Sequence, residues 1–235
     1  MSNSKLVDYK KLSPNYTEMS NKKNKKISIH HMAGNLSVET CGNVFASKSR
    51  QASSNYGIGT DGRVGLYVDE GNRSWCTSSK DNDSQAITIE VANDGGAPNW
   101  HVSDRALNKL IDLCVDICKR NGIEKLNFTG DKTGNLTLHN MFANTNCPGP
   151  YLESKMPYVV KEVNKALDNS STVFVPYKVR VTANALNIRA GAGTNYKING
   201  VITDKGVYTI VEEKNGFLKL KSGAGWISAT YVKKV

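Results

Sequence analysis

Hydrophobic periodicity changes character once along these 235 residues, at the polar stretch Asp168-Asn-Ser-Ser-Thr172, and this change limits the possible folds most. Upstream, strand-like alternation and helix-like spacing take turns; downstream only short strands remain, separated by Gly and Asn turns. Ser103 opens a helix in which Leu107, Leu110, Ile111, Cys114, Ile117 and Cys118 recur at helical spacing, with Gly122 just past its end. A second helical face carries Leu152, Met156, Val159, Val160, Val163 and Leu167, and Pro157 is expected to open or kink that helix. Strands are expected at 27–31, 86–91 and 123–129, a hairpin over 55–68 turning at Asp61-Gly62, and a short helix capped by Ser37. Strands alternating with helices predict an α/β domain, a mixed central sheet flanked by helices, over residues 1–168. After a linker at 169–177, six strands (Tyr177 to Ala183, Leu186 to Arg189, Gly200 to Ile202, Tyr208 to Glu212, Phe217 to Lys221, Gly225 to Ile227) predict a small antiparallel barrel over 178–235. The length suffices for two modest domains, each with its own core.

The net charge of +10 is uneven. Residues 178–235 hold ten Lys or Arg against three Asp or Glu, and the rest of the chain 21 against 18. A small basic module suggests an anionic polymer as neighbour. No recognition-helix or aromatic RNA-binding pattern accompanies the charge, which argues against nucleic acid. No apolar run approaches a membrane span, so membrane insertion is not expected. The start, Met-Ser-Asn-Ser-Lys-Leu-Val-Asp-Tyr-Lys, lacks the apolar core of a signal peptide, and synthesis in the cytoplasm without one is expected. Five cysteines, an odd number, argue against a disulfide framework. Cys114 and Cys118 read as core filler on a helix face, and Cys41 and Cys76 as free thiols in loops or partly buried positions.

Chemistry concentrates in His139-Asn-Met-Phe-Ala-Asn-Thr-Asn-Cys147-Pro-Gly, which sets an imidazole and a thiol eight positions apart on a loop. Zinc accepts nitrogen and sulfur donors, and a catalytic zinc site uses three protein ligands with a fourth position open. The remaining histidines are the pair His30-His31, at the end of the strand Ile27-Ser28-Ile29, and the isolated His101. The competing reading is a satisfied loop histidine beside a small buried cysteine.

The order Ile27-x-Ile29-His30-His31, Asn55-Tyr56-Gly57-Ile58-Gly59, Ala86-Ile87-Thr88-Ile89-Glu90-Val91 and His139-x7-Cys147-Pro148-Gly149-Pro150 resembles the type 2 N-acetylmuramoyl-L-alanine amidases over about residues 1–168. The resemblance implies zinc bound by His30, His139 and Cys147. His31 competes with His30, because adjacent strand residues point to opposite faces. It further implies Glu90 as catalytic acid/base and Tyr56 as a hydroxyl that steadies the water or the oxyanion. Thr145 stands where some members carry lysine and others threonine, so it is the implied catalytic residue for the oxyanion and departs from the lysine pattern; Trp75 is a candidate for the substrate groove. The implied reaction is hydrolysis of the amide joining the muramoyl lactyl group to L-alanine in peptidoglycan.

Downstream, Leu186-Asn187-Ile188-Arg189-Ala190-Gly191-Ala192-Gly193-Thr194 and Gly225-Trp226-Ile227-Ser228-Ala229-Thr230-Tyr231-Val232 resemble the bacterial SH3 domains of wall hydrolases. This implies an SH3-like barrel that binds the wall, peptidoglycan or its anionic polymers, with Arg189, Tyr196 and Trp226 as candidate contacts. Together the modules resemble a phage endolysin of a Gram-positive host, released by a holin. Two other readings remain: a cysteine peptidase of the stem peptide with Cys41 or Cys147 as nucleophile, and a non-catalytic peptidoglycan-binding protein.

Overall fold

A computed structural model describes residues 2–171 and 176–235. It divides into two compact units, Met1–Ser170 and Ser171–Val235. The first holds strands β1 (Tyr9–Lys10), β2 (Tyr16–Thr17), β3 (Lys26–His31), β4 (Tyr56–Ile58), β5 (Val64–Leu66), β6 (Arg73–Ser74), β7 (Ala86–Val91) and β8 (Leu136–Leu138). Its helices are α1 (Val38–Ala46), the single turn α2 (Lys80–Asp83), α3 (Asp104–Asn121) and α4 (Pro150–Ser171). Six strands form a mixed sheet in the order β1-β5-β4-β7-β3-β8, and β2 pairs with β6 separately. Strand β3 runs parallel to β7 and β8, β4 runs parallel to β7, and β4 with β5 makes the expected antiparallel hairpin.

The sheet has two chemically different faces, and period-two alternation in the strands creates them. Ile27 and Ile29 of β3, Ile87, Ile89 and Val91 of β7, and Leu136 and Leu138 of β8 share one buried cluster with Leu110, Leu113, Cys114 and Ile117 of α3 and Leu152, Met156, Val159 and Val163 of α4. Burying each such side chain stabilises the fold by about 1.5–3 kcal/mol. The residues between them, Ser28 and His30, Thr88 and Glu90, and Thr137, lie on the opposite face. There Ser28 Oγ meets Thr137 Oγ1 at 2.7 Å and accepts from Asn82 Nδ2 at 2.8 Å, while Thr88 Oγ1 meets Ser74 Oγ at 2.7 Å. A buried hydroxyl left unpaired costs about 1–3 kcal/mol, so these bonds set the register of the strands beneath the site. On β4 and β5 the same face is occupied by Gly57 and Gly65, because the Tyr67 ring lies across them; a Cβ on Gly57 would sit 2.6 Å from Tyr67 Cε2.

Helix boundaries follow local signals. Ser37 accepts from Thr40 N–H and Ser103 from Ala106 N–H, and Gly122 ends α3 with φ 68°. Pro150 opens α4, and Pro157 lies inside it rather than at its start. Residues 123–129 are not a strand: Asn164 of α4 bonds both the N–H and the carbonyl of Leu126, and the Asn135 side chain receives the N–H of Asn127. Side-chain amides thus satisfy backbone groups that a ladder would otherwise use, and the strand forms at 136–138 instead. Cys41 is buried in α1, not in a loop, and none of the five cysteines is in a disulfide. Among the described residues no helix is long and apolar enough to cross a membrane. Of the stretch 169–177 expected as linker, residues 172–175 lie outside the described residues, and α4 runs on to Ser171.

The second unit is all β: β9 (Tyr177–Val181), β10 (Leu186–Arg189), β11 (Ile198–Ile202), β12 (Val207–Lys214), β13 (Phe217–Leu220), β14 (Trp226–Ser228) and β15 (Val232–Lys234). They form one antiparallel sheet in the order β11-β10-β14-β13-β12-β9-β15, around Val179, Val181, Leu186, Ile210, Leu218, Leu220 and Ile227. The strand at 232–234 is additional to the six expected; its Lys-Lys ending hides the one apolar residue, Val232, that packs on this core. Arg189 spends its guanidinium on the carbonyls of Thr194 and Tyr196, Trp226 is mostly buried under Lys219, and Tyr196 is exposed.

Candidate active site

The site lies outside the carboxyl ends of β3, β7 and β8, where open α/β sheets commonly bind ligands. Register brings the residues there: His30 pairs with Glu90 across β3 and β7, and Ile29 pairs with Leu138, so His139 leaves β8 beside His30. The loop after His139 returns Cys147, whose carbonyl accepts from Asn140 N–H at 3.0 Å. Thr145 Oγ1 accepts the Cys147 N–H at 3.2 Å and holds that loop in its turn.

His30, His139 and Cys147 each offer a donor atom, and these atoms lie within 4.8 Å of one another. Cys147 Sγ is 3.6 Å from His30 Nδ1, and the two imidazole rings are 4.7 Å apart. Donors at zinc bond lengths on a tetrahedron stand roughly 3.3–3.7 Å apart, so the nitrogen–sulfur spacing fits zinc. Nε2 of both histidines is sealed from solvent without a hydrogen-bond partner. Burial holds His30 well below the usual histidine range, aided by His139 and His31, and lowers His139 as well, so both rings are neutral with lone pairs available. Burial and the nearby Glu90 push the Cys147 thiol up, which a bound dication reverses; the His31 N–H, donating to Sγ at 3.4 Å, also favours the thiolate. The donor set therefore suits the ion that the resemblance implies. His31 is not among the converging donors; its ring lies edge-on to Trp100 at 5.1 Å, and the residue borders the cleft beside Glu90 and His139.

Glu90 borders the same space. Its Oε2 is buried without a partner, and burial raises the carboxyl to about 8. Cys76 Sγ stands 3.9 Å from Glu90 Oε1, and His30, Cys76 and Glu90 form a second converging triple. A cleft of about 200 Å³ opens beside these groups, lined by His139, Glu90, Cys76 and Trp75 and continuing to Leu36, Val44, Phe45 and Arg50. No sequence signal placed Cys76 or Arg50 at this cleft: Cys76 reaches Glu90 from fourteen residues upstream, and Arg50 lines the cleft from the turn that follows α1.

Tyr56 is not brought to this site. It pairs with Ile89, one position off Glu90, and its side chain lies on the apolar face at 0 % exposure. Its hydroxyl donates to Glu70 Oε1 at 2.6 Å and accepts the Ser4 N–H at 2.8 Å. Glu70 is held in turn by both guanidinium nitrogens of Arg120, at 2.6 and 2.8 Å. The expectation of a Tyr56 hydroxyl at the reaction centre is therefore corrected: strand parity sends it through the sheet.

Residues 20–150 match the family described as N-acetylmuramoyl-L-alanine amidase, and residues 184–233 match the bacterial SH3 domain. No curated protein matches the sequence. Among solved structures the chain is similar to the Staphylococcus aureus hydrolase AmiA in complex with its ligand, at 15 % identity, TM-score 0.54, and 71 % of this chain against 84 % of that one. It is also similar to PlyL, at 16 % identity, TM-score 0.52, and 67 % against 96 %. A mutant endolysin from Bacillus subtilis gives 13 % identity, TM-score 0.51, and 69 % against 99 %. At these identities the likeness is one of fold, an α/β amidase unit, and the match over more than half of the sequence carries the rest: this chain belongs to the N-acetylmuramoyl-L-alanine amidase family and bears a bacterial SH3 domain behind its amidase domain.

Proposed function

We propose that the protein is a zinc-dependent peptidoglycan amidase that hydrolyses the bond between the muramoyl lactyl group and L-alanine. One observation carries this reading: two neutral imidazoles and a thiol converge at the strand ends, next to a buried carboxyl with an unpartnered oxygen. His30, His139 and Cys147 hold the ion. This choice leaves Glu90 free, whereas the His30, Cys76 and Glu90 triple would consume it. Bound zinc supplies Lewis acidity toward a carbonyl oxygen and lowers the pKa of water to about 7. Glu90 accepts the proton of the attacking water and returns it to the departing alanine amine; a carboxyl raised toward neutrality suits both transfers. Thr145 spends an oxygen lone pair on the Cys147 N–H and keeps its own proton, which it gives as a hydrogen bond to the developing oxyanion.

The basic SH3 module tethers the catalytic unit to the wall and raises its effective concentration on an insoluble substrate. Domain limits of 1–168 and 178–235 and a role as an endolysin, released by a holin onto a Gram-positive wall, complete the proposal. The test is digestion of purified wall, with new amino termini and new reducing ends measured in parallel. N-terminal alanine without reducing ends, abolished by a zinc chelator and by Cys147→Ser together with loss of bound zinc, is the expected result. Chelator-resistant release that thiol alkylation stops would instead indicate a cysteine peptidase, and binding without release a recognition protein.

A further inference from the structure

The cleft beside Glu90 and His139 runs toward α1, where Leu36, Val44 and Phe45 make it apolar. Arg50 bears the one permanent positive charge among its lining residues. Among the described residues no side chain or carbonyl pairs with the Arg50 guanidinium, yet its charge is felt at the Glu90 carboxyl and the Cys41 thiol. The backbone is built to put it there. A single 3-10 turn, Lys48–Arg50, closes with Arg50 N–H on the Ser47 carbonyl at 3.1 Å, and Gln51 follows in the left-handed region at φ 52°. A residue with a Cβ held there costs about 1–2 kcal/mol, and such strain persists where the surroundings impose it. Here Ser53, two residues on, is pinned by its N–H on the Trp75 carbonyl at 3.0 Å.

A lone guanidinium lining the same cleft as the reacting groups is a fork for a carboxylate. In a muramoyl peptide the sugars and the lactyl amide are uncharged, and the negative charge sits on the peptide. Its nearest carboxylate to the scissile bond is the free one of the second residue, a glutamate linked through its side chain. We propose that Arg50 binds this carboxylate, so that the arm of the cleft along α1 takes the departing peptide and sets the preference for an acidic rather than an amidated second residue. The inference rests on the amidase reading.

The experiment compares muramoyl tripeptides that differ only in a carboxylate or a carboxamide on the second residue, using the full chain with its zinc. The wild type is expected to favour the carboxylate about tenfold in kcat/KM, mostly through KM, as a charge-assisted pair at a partly solvated site implies. Arg50→Gln should abolish the preference by raising KM for the carboxylate substrate alone, any change in kcat through Glu90 being common to both substrates, and Arg50→Lys should restore part of the preference. Arg50 is exposed, so neither variant should alter folding. A wild type indifferent to the change, or an Arg50→Gln that slows both substrates in kcat yet keeps the wild type's preference, overturns the assignment and leaves Arg50 acting only through Glu90. Failure of the wild type on both tripeptides and on intact wall would instead remove the amidase reading and this inference with it.

Discussion

Tyr56→Phe separates a catalytic tyrosine from a structural one. The hydroxyl it removes donates to Glu70 Oε1 at 2.6 Å and accepts the buried Ser4 N–H at 2.8 Å, in surroundings where Tyr56, Glu70 and Ser4 are 0, 1 and 5 % exposed. Glu70 keeps its bonds from Arg120, so the charge stays compensated and the loss on that side is one ordinary bond, about 1 kcal/mol. The Ser4 N–H loses its acceptor without access to water, which costs about 1–2 kcal/mol more. The sum, about 2–3 kcal/mol, lowers the melting temperature of a unit this size by about 5–10 °C. Calorimetry of the full chain reads that shift, and wall digestion at 25 °C should give a kcat within twofold of wild type. A kcat reduced a hundredfold at unchanged Tm would return Tyr56 to the chemistry. Unchanged Tm with unchanged rate would mean that the buried bonds contribute nothing, and the reasoning would fail from the other side.

Glu90→Gln keeps the shape of the cleft and removes the proton carrier, so kcat should fall by about 10²–10⁴ while bound zinc, measured by elemental analysis, stays at the wild-type level. Loss of zinc together with rate would make Glu90 a ligand, as in the triple with His30 and Cys76. Lys22 offers a pH test away from the site. It is 2 % exposed, donates to the Asn72 and Ala86 carbonyls at 3.0 and 2.7 Å, and burial lowers it from 10.5 to about 8. The unfolded chain therefore binds the extra proton between pH 8 and 10.5, and the stability this group contributes rises with pH across that window, by about 3 kcal/mol at most. Urea unfolding of wild type and Lys22→Met at pH 7.5 and 10.5 should show the difference between them shifting toward the wild type; a constant difference would place the titration of Lys22 elsewhere.

What could be read from the sequence was local. Alternation in Ile27-Ser28-Ile29-His30 and Ile87-Thr88-Ile89-Glu90, the Ser37 and Ser103 caps, and the Gly122 stop each depend on a few neighbouring residues, and the strands and helices they predict are there. The switch at Asp168 to Thr172 likewise announced a second unit, because a change of period is a change of layer architecture. Alternation alone assigns no face to the core, and so the histidine pair stayed open in the residues themselves. The β3, β4 and β7 register, supplied by partners some thirty to sixty residues apart, put His30 with Glu90 and sent Tyr56 through the sheet. The same non-local logic left residues 123–129 without a ladder once Asn164 and Asn135 took their backbone groups, and gave Val232 a place on a core its own sequence hides. Composition and spacing decide which elements form; which side chains share a cleft is decided only when strands widely separated in the chain pair in one register, since a shift of a single residue exchanges every face.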